Sequence, residues 1–225
     1  MNGLNHNALT CSAVPIPPWE RSLQTVEAQP YFNVSQASLV LEGIVFDRNN
    51  NLLFVDVATG RVFKLTPERQ LSIVLKENSF GASGLAVHKD GRIFIASVGD
   101  MQRGSVRAIE PNGTREQMVA PFGSVVTYQF TGPAPDGARV DSEGNVYVAI
   151  SGQGRVMVFN RNGLPIGQIV LPDRDKGRNL KSTSLAIRPG HRELFIVANS
   201  GTEPGGAMIF RSGAFAPAPF PFSHQ

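Results

Sequence analysis

One cysteine in 225 residues, Cys11, excludes an intrachain disulfide, so nothing in the chain demands an oxidising compartment. Histidine is almost as scarce. His6, His88, His191 and His224 are scattered over the termini and turn-like stretches, which argues for surface imidazoles and against a zinc or catalytic histidine set. No run of apolar residues approaches the length that spans a bilayer. The opening stretch, MNGLNHNALTCSAVPIPPWE, has neither a basic start nor the apolar core of a secretory leader, and the expected location is the cytoplasm. The net charge of +3 carries no Lys/Arg block and no interleaving of aromatic with basic residues, so no nucleic-acid partner is expected. Helix-period stretches are nearly absent.

Several catalytic and ligand signatures fail in the same way. There is no G-x-S-x-G elbow; Gly81-Ala-Ser83-Gly84 has the wrong spacing for a serine hydrolase. Asp47-Arg-Asn49-Asn-Asn51 begins like a calcium loop, but its sixth and twelfth positions are Leu52 and Ala58, which leaves a hairpin turn. Gly152-Gln-Gly154 lacks the third glycine of a dinucleotide fingerprint and is likewise a turn.

What the chain has in quantity is glycine, proline and short apolar runs: 23 Gly, 16 Pro and 41% hydrophobic residues, the balance of a turn-dense β protein. The clearest stretch is Gly132 to Leu171, in which four runs rich in Val, Ile, Tyr and Phe are separated by Gly-, Asn- and Asp-containing turns. That is the pattern of one four-stranded antiparallel sheet. The same unit recurs. Glu42-Gly-Ile-Val-Phe-Asp47, Ser83-Gly-Leu-Ala-Val-His88, Asp136-Gly-Ala-Arg-Val-Asp141 and Thr183-Ser-Leu-Ala-Ile-Arg188 each place a polar residue and a small residue ahead of a strand, followed by a turn and a strongly apolar second strand. Repeats of this spacing with four strands apiece predict an all-β propeller of four recognisable blades in a single domain over residues 1–225. Residues 1–22 form an extended lead, 23–119 a closing strand and the first two blades, and 120–225 the last two blades and a tail. Leu23 to Phe32 is the candidate strand that closes the last blade. The Pro- and Phe-rich tail from Ala214 is expected to run along that blade, and Trp19, the tyrosines and the phenylalanines are expected to anchor blade cores.

The first residue of each inner strand stands near one mouth of the central channel, so Glu42, Ser83, Asp136 and Thr183 should share one ring. Two carboxylates there repel unless a shared proton or a cation offsets them, and oxygen-only ligands point to a hard cation such as calcium or magnesium. The competing reading is that Glu42 and Asp136 only cap turns. Gly137, beside Asp136, allows backbone to approach closely.

Asp136-Gly137, Asp141 and Gly144-Asn-Val-Tyr-Val-Ala149, with Gly152-Gln-Gly-Arg-Val-Met-Val-Phe-Asn160 and Pro172-Asp-Arg-Asp-Lys-Gly177, resemble the gluconolactonase, or senescence-marker-protein, family of six-bladed lactonases, and most closely its calcium-dependent drug-responsive branch. The resemblance covers most of the chain from about Leu23. It implies a small-molecule lactone substrate, a Ca2+ cofactor with Zn2+ or Mg2+ as substitutes, Glu42 as a metal ligand, and Asp136 as both metal ligand and proton donor. The position after that aspartate, often serine in the branch, is Gly137 here. The family has six blades and this chain four repeats; the two absent blades, near Val119 to Phe122, carry the family's metal-binding asparagine and a further aspartate. Three forms follow: a closed four-bladed ring, an open arc with exposed blade faces prone to self-association, or the product of an internal deletion. The alternative to a lactonase is a non-catalytic propeller remnant that binds partners through those faces.

Overall fold

The computed structural model describes residues 12–77, 81–97, 130, 135–199 and 206–221. They form fifteen strands and two short 3-10 turns, and no helix among them is long and apolar enough to cross a membrane. β1 (Gln24–Glu27) and β2 (Gln29–Ser35) lead into the first blade, a meander of β3 (Leu41–Phe46), β4 (Leu52–Asp56), β5 (Arg61–Leu65) and β6 (Leu71–Leu75). β7 (Ala82–Val87) pairs with β8 (Ile93–Ser97) in the second. Its expected outer strands, Gly104–Ile109 and Arg115–Val119, lie outside the described residues. The third sheet runs β9 (Pro135–Val140), β10 (Val146–Ile150), β11 (Arg155–Phe159) and β12 (Pro165–Val170). The fourth joins β13 (Lys181–Ile187), β14 (Glu193–Asn199) and β15 (Ala207–Gly213) to β2.

The hairpins form for a local reason that repeats. At the first inner turn Asp47 Oδ1 accepts the Asn49 and Asn51 amides at 2.8 and 2.9 Å, while Asn50 sits at φ 60°. Asp141 does the same for Glu143 and Asn145, and its other oxygen accepts the Asn145 amide group and the Tyr147 hydroxyl. Burial opposes that carboxylate's charge, but these bonds outweigh it and hold Asp141 below the usual carboxylate range. An acidic or amide side chain that folds back on its own turn fixes the register of the two strands beside it.

The core lies between blades. Tyr147, Val156 and Val158 of the third pack on Leu185, Leu194 and Ile196 of the fourth; Phe54, Phe63 and Leu65 of the first pack on Phe195, Val197 and Ile209 of the fourth; Leu53, Val55 and Val62 meet Ala82 and Leu85 of the second. β4 and β11 are buried at every position because each is covered on both faces. Each such side chain contributes about 1.5–3 kcal/mol, so the inter-blade contacts are the main source of cohesion. Inner strands pack side by side in the order β9, β13, β3, β7.

Two expectations need correction. Leu23 to Phe32 does not act as one closing strand: the chain turns at buried Ala28, so β2 completes the fourth sheet against β15, while β1 joins the third sheet parallel to β12. The period-2 alternation continues across the break, and only the partners differ. Trp19 is 66% exposed and anchors no core. Its neighbour Glu20 turns inward instead, pairing with Arg155 at 2.6 Å, both side chains being nearly inaccessible. Gln153 and Gln168 also accept from the Arg155 guanidinium, which ties the lead to the third blade. The tail follows the fourth blade as expected but also reaches the third, where the Phe215 amide donates to the Tyr147 hydroxyl and Ser142 donates to the Pro217 carbonyl.

Candidate functional site

Glu42 and Asp136 are the second residues of β3 and β9, at the same end of the inner strands, and the Asp136 charge is felt at Glu42. The Glu42 carboxyl is pushed up to about 7, first by burial and then by the Asp136 charge; the Gly43 amide and the Arg139 guanidinium pull the other way. Burial raises Asp136 as well. Both shifts favour the protonated form of these carboxyls, and a cation placed near them would act in the opposite sense.

Glycines bring the strands together at this mouth. A Cβ on Gly137 would stand 2.7 Å from the Thr183 carbonyl oxygen and 3.0 Å from the Ser184 Cα, so β9 meets β13 main chain to main chain. Gly43, at φ +59°, has the Gly84 Cα and the Ser83 carbonyl within 3.0–3.1 Å of where its Cβ would be. The close approach expected of Gly137 is therefore real, and a counterpart exists one strand over. The other two members of the expected ring are turned elsewhere. Thr183 is buried and its hydroxyl donates to the Leu41 carbonyl, bolting β13 to β3; the Ser83 hydroxyl donates to the Ala96 carbonyl at 3.5 Å within its own blade.

Two residues that drew no attention in the sequence stand here. Arg139, on β9, donates to the Ala138 carbonyl at 2.7 Å and across to the Ile44 carbonyl at 3.1 Å, and burial depresses its basicity while Glu42 restores part of it. Asn199, ending the apolar β14, donates to the Leu39 carbonyl, and its buried carbonyl oxygen has no partner among the described residues. A charged or amide residue interrupting an apolar strand is the signal for both.

No three His, Cys, Asp or Glu side chains gather as a metal cluster among the described residues. The Glu42 and Asp136 carboxylates are hard oxygen donors, and a divalent cation would relieve the repulsion that Asp136 exerts on Glu42; as donor types they suit such an ion in a sparse site completed by water.

A propeller of four-stranded sheets defines the class: an enzyme-like β-propeller. Residues 84–199 match the SMP-30/gluconolactonase/LRE-like region. A lactonase drp35 from Staphylococcus saprophyticus is 30% identical over 299 residues, covering 91% of this chain and 92% of the relative; one from Staphylococcus aureus is 29% identical over 299 residues, with the same two shares. The chain belongs to the SMP-30/gluconolactonase/LRE-like family. Among solved structures, the calcium-binding protein regucalcin from Agrobacterium tumefaciens superposes with a TM-score of 0.60 at 14% identity over 88% of this chain and 99% of that one. A gluconolactonase from Xanthomonas campestris gives 0.52 at 13% over 82% and 95%. Both share the propeller fold.

Because 91% of a 225-residue chain is spread over 299 aligned positions, roughly 90 positions of the S. saprophyticus protein have no counterpart here, the size of two blades of about 40–45 residues each. The expected junction, Val119 to Phe122, lies outside the described residues.

Proposed function

We propose that this chain hydrolyses lactones at the Glu42–Asp136 mouth, with calcium as the working cation. The observation that carries this is the pair itself: a partly buried Glu42 and an exposed Asp136 at matching repeat positions, each raised above its ordinary range, with the Asp136 charge adding to the shift at Glu42. The staphylococcal relatives bear the name lactonase, and the Agrobacterium structure is described as calcium-binding.

Lactone opening adds water across the ring C–O bond, with hydroxide to the acyl carbon and a proton to the ring oxygen, giving a hydroxy acid. A hard divalent cation, when bound, polarises the carbonyl. Glu42 and Asp136 are the residues that would hold it, and magnesium or zinc would serve in its place. Asp136 takes the proton from the attacking water and returns it to the departing ring oxygen, a role that its raised affinity for protons suits. Gly137 contributes no side-chain oxygen, and its main chain, next to Asp136, is seated against Thr183 and Ser184.

The test is turnover of δ-valerolactone by the parent and by Asp136→Ala, with excess calcium or chelator. Loss of turnover in the variant and in chelator is expected; unchanged hydrolysis in Asp136→Ala would sink the reading. A second reading, a non-catalytic propeller that binds partners through blade faces, is favoured by the missing positions. It requires concentration-dependent self-association with no metal-dependent turnover, and an active monomer in light scattering rules it out.

A further inference from the structure

The far halves of the inner strands line an open cleft of about 520 Å3, within the range of small-ligand sites. Val45, Phe46, Val87, Val140 and Ile187 contribute apolar walls, and the tail closes one side with Pro219 and Pro221. Among the described residues lining it, one carries a charge: Arg139. Its guanidinium stands at the level of the Ile44 carbonyl, between the carboxylate mouth and the apolar walls. Only two carbonyl oxygens receive hydrogen bonds from it among the described residues, and it forms no ion pair there; Glu42 acts on it through space.

A planar five-donor cation held at the edge of an apolar cleft, with donors left over and no carboxylate in contact among the described residues, is an incomplete ion pair. Among the described residues lining it, no hydroxyl or amide side chain would reward a polyhydroxylated guest, whose covered hydroxyls would go unpaired. We propose that this cleft is a second binding site, taking a small apolar monocarboxylate whose carboxylate pairs with Arg139 and whose hydrocarbon fills the space between β3, β7, β9 and β13. The site adjoins the lactone-opening mouth, with Arg139 between the two, and its occupancy does not depend on turnover there.

Calorimetric titration of the full chain, in chelator so that no metal at the mouth captures a carboxylate, uses hexanoate, 1-hexanol and hexylammonium as probes. Hexanoate binds at least tenfold more tightly than either of the others. Arg139→Met brings hexanoate to the level of hexanol. Val140→Trp, placed at a half-exposed strand position that tolerates bulk, fills the cleft and weakens hexanoate and hexanol alike by fivefold or more. Asp136→Ala binds hexanoate within twofold of the parent, which separates this site from the lactonase reading. Equal affinity for hexanoate and hexanol in the parent, absence of binding, undiminished binding in Val140→Trp, or loss of binding in Asp136→Ala each overturns the proposal. If Arg139→Met does not fold, the parent's selectivity and the Val140→Trp titration decide.

Discussion

Alanine at position 137 tests how tightly the strands meet beside the candidate site. The added Cβ would lie 2.7 Å from the Thr183 carbonyl oxygen and 3.0 Å from the Ser184 Cα. Both are main-chain atoms, so no rotamer change relieves the clash. Ordinary contact requires β9 to retreat from β13 by several tenths of an ångström, and overpacking of this kind costs about 1–3 kcal/mol. Alanine also stiffens the unfolded chain, which returns about 0.4–1 kcal/mol where the backbone conformation suits it. The net expectation is a loss of about 1–2 kcal/mol, or about 2–8 °C in Tm for a chain of this length. Gly213→Ala is the internal control, because a Cβ there meets nothing within 4 Å. Calorimetric melts of the two variants beside the parent decide the matter: Gly137→Ala melting at or above Gly213→Ala would refute the close packing on which the mouth is built.

Glu42→Gln probes the acid pair through pH. A carboxyl raised from 4.5 to about 7 binds its proton more tightly in the folded state, so the parent loses stability as pH rises through that window and the glutamine variant does not. The ceiling is about 3 kcal/mol; partial exposure brings the expected gain of Glu42→Gln at pH 8 to about 1–2 kcal/mol, vanishing near pH 4. Urea midpoints that stay parallel from pH 4 to 8 contradict it. Calcium at about 100 times its dissociation constant should raise the parent's stability by about 2.7 kcal/mol, an effect that Asp136→Ala abolishes; equal melts in calcium and chelator count against the metal. Arg155→Met, which strands buried Glu20, should cost about 3–5 kcal/mol, and the double change Glu20→Leu with Arg155→Met should recover most of it. Denaturant titrations in which the double variant is no better than the single would show that Glu20 matters for something other than its charge.

The blades were legible because each announces itself by a polar and a small residue before the inner strand, and the first and third again by an aspartate that closes the next turn on its own side chain. Asp47 and Asp141 act as that pattern predicts. Glu42 and Asp136 hold matching places in the repeat, and the Asp136 charge is felt at Glu42. What the pattern could not carry was orientation. Thr183 and Ser83 hold the same repeat position, but a hydroxyl is short enough to be satisfied by a nearby carbonyl, and both are. Arg139 is one strand residue among many until β3 supplies the Ile44 carbonyl as its partner. The break at Ala28 leaves no local trace, because strands in two different sheets obey the same alternation and only distant partners separate them.

That break has a bearing on how the chain is made. β1 and β2 are synthesised first, yet β12 and β15, on which they rest, are near the other end of the chain. Pairings this distant in sequence are slow to form, since a long loop must close before any contact repays it. During translation the two early strands wait with unpaired edges until the last blades emerge, and the third and fourth blades stay unfinished until they arrive. The segment therefore works as a late fastener, and the period before it engages is when the nascent chain is most open to pairing with the wrong edge.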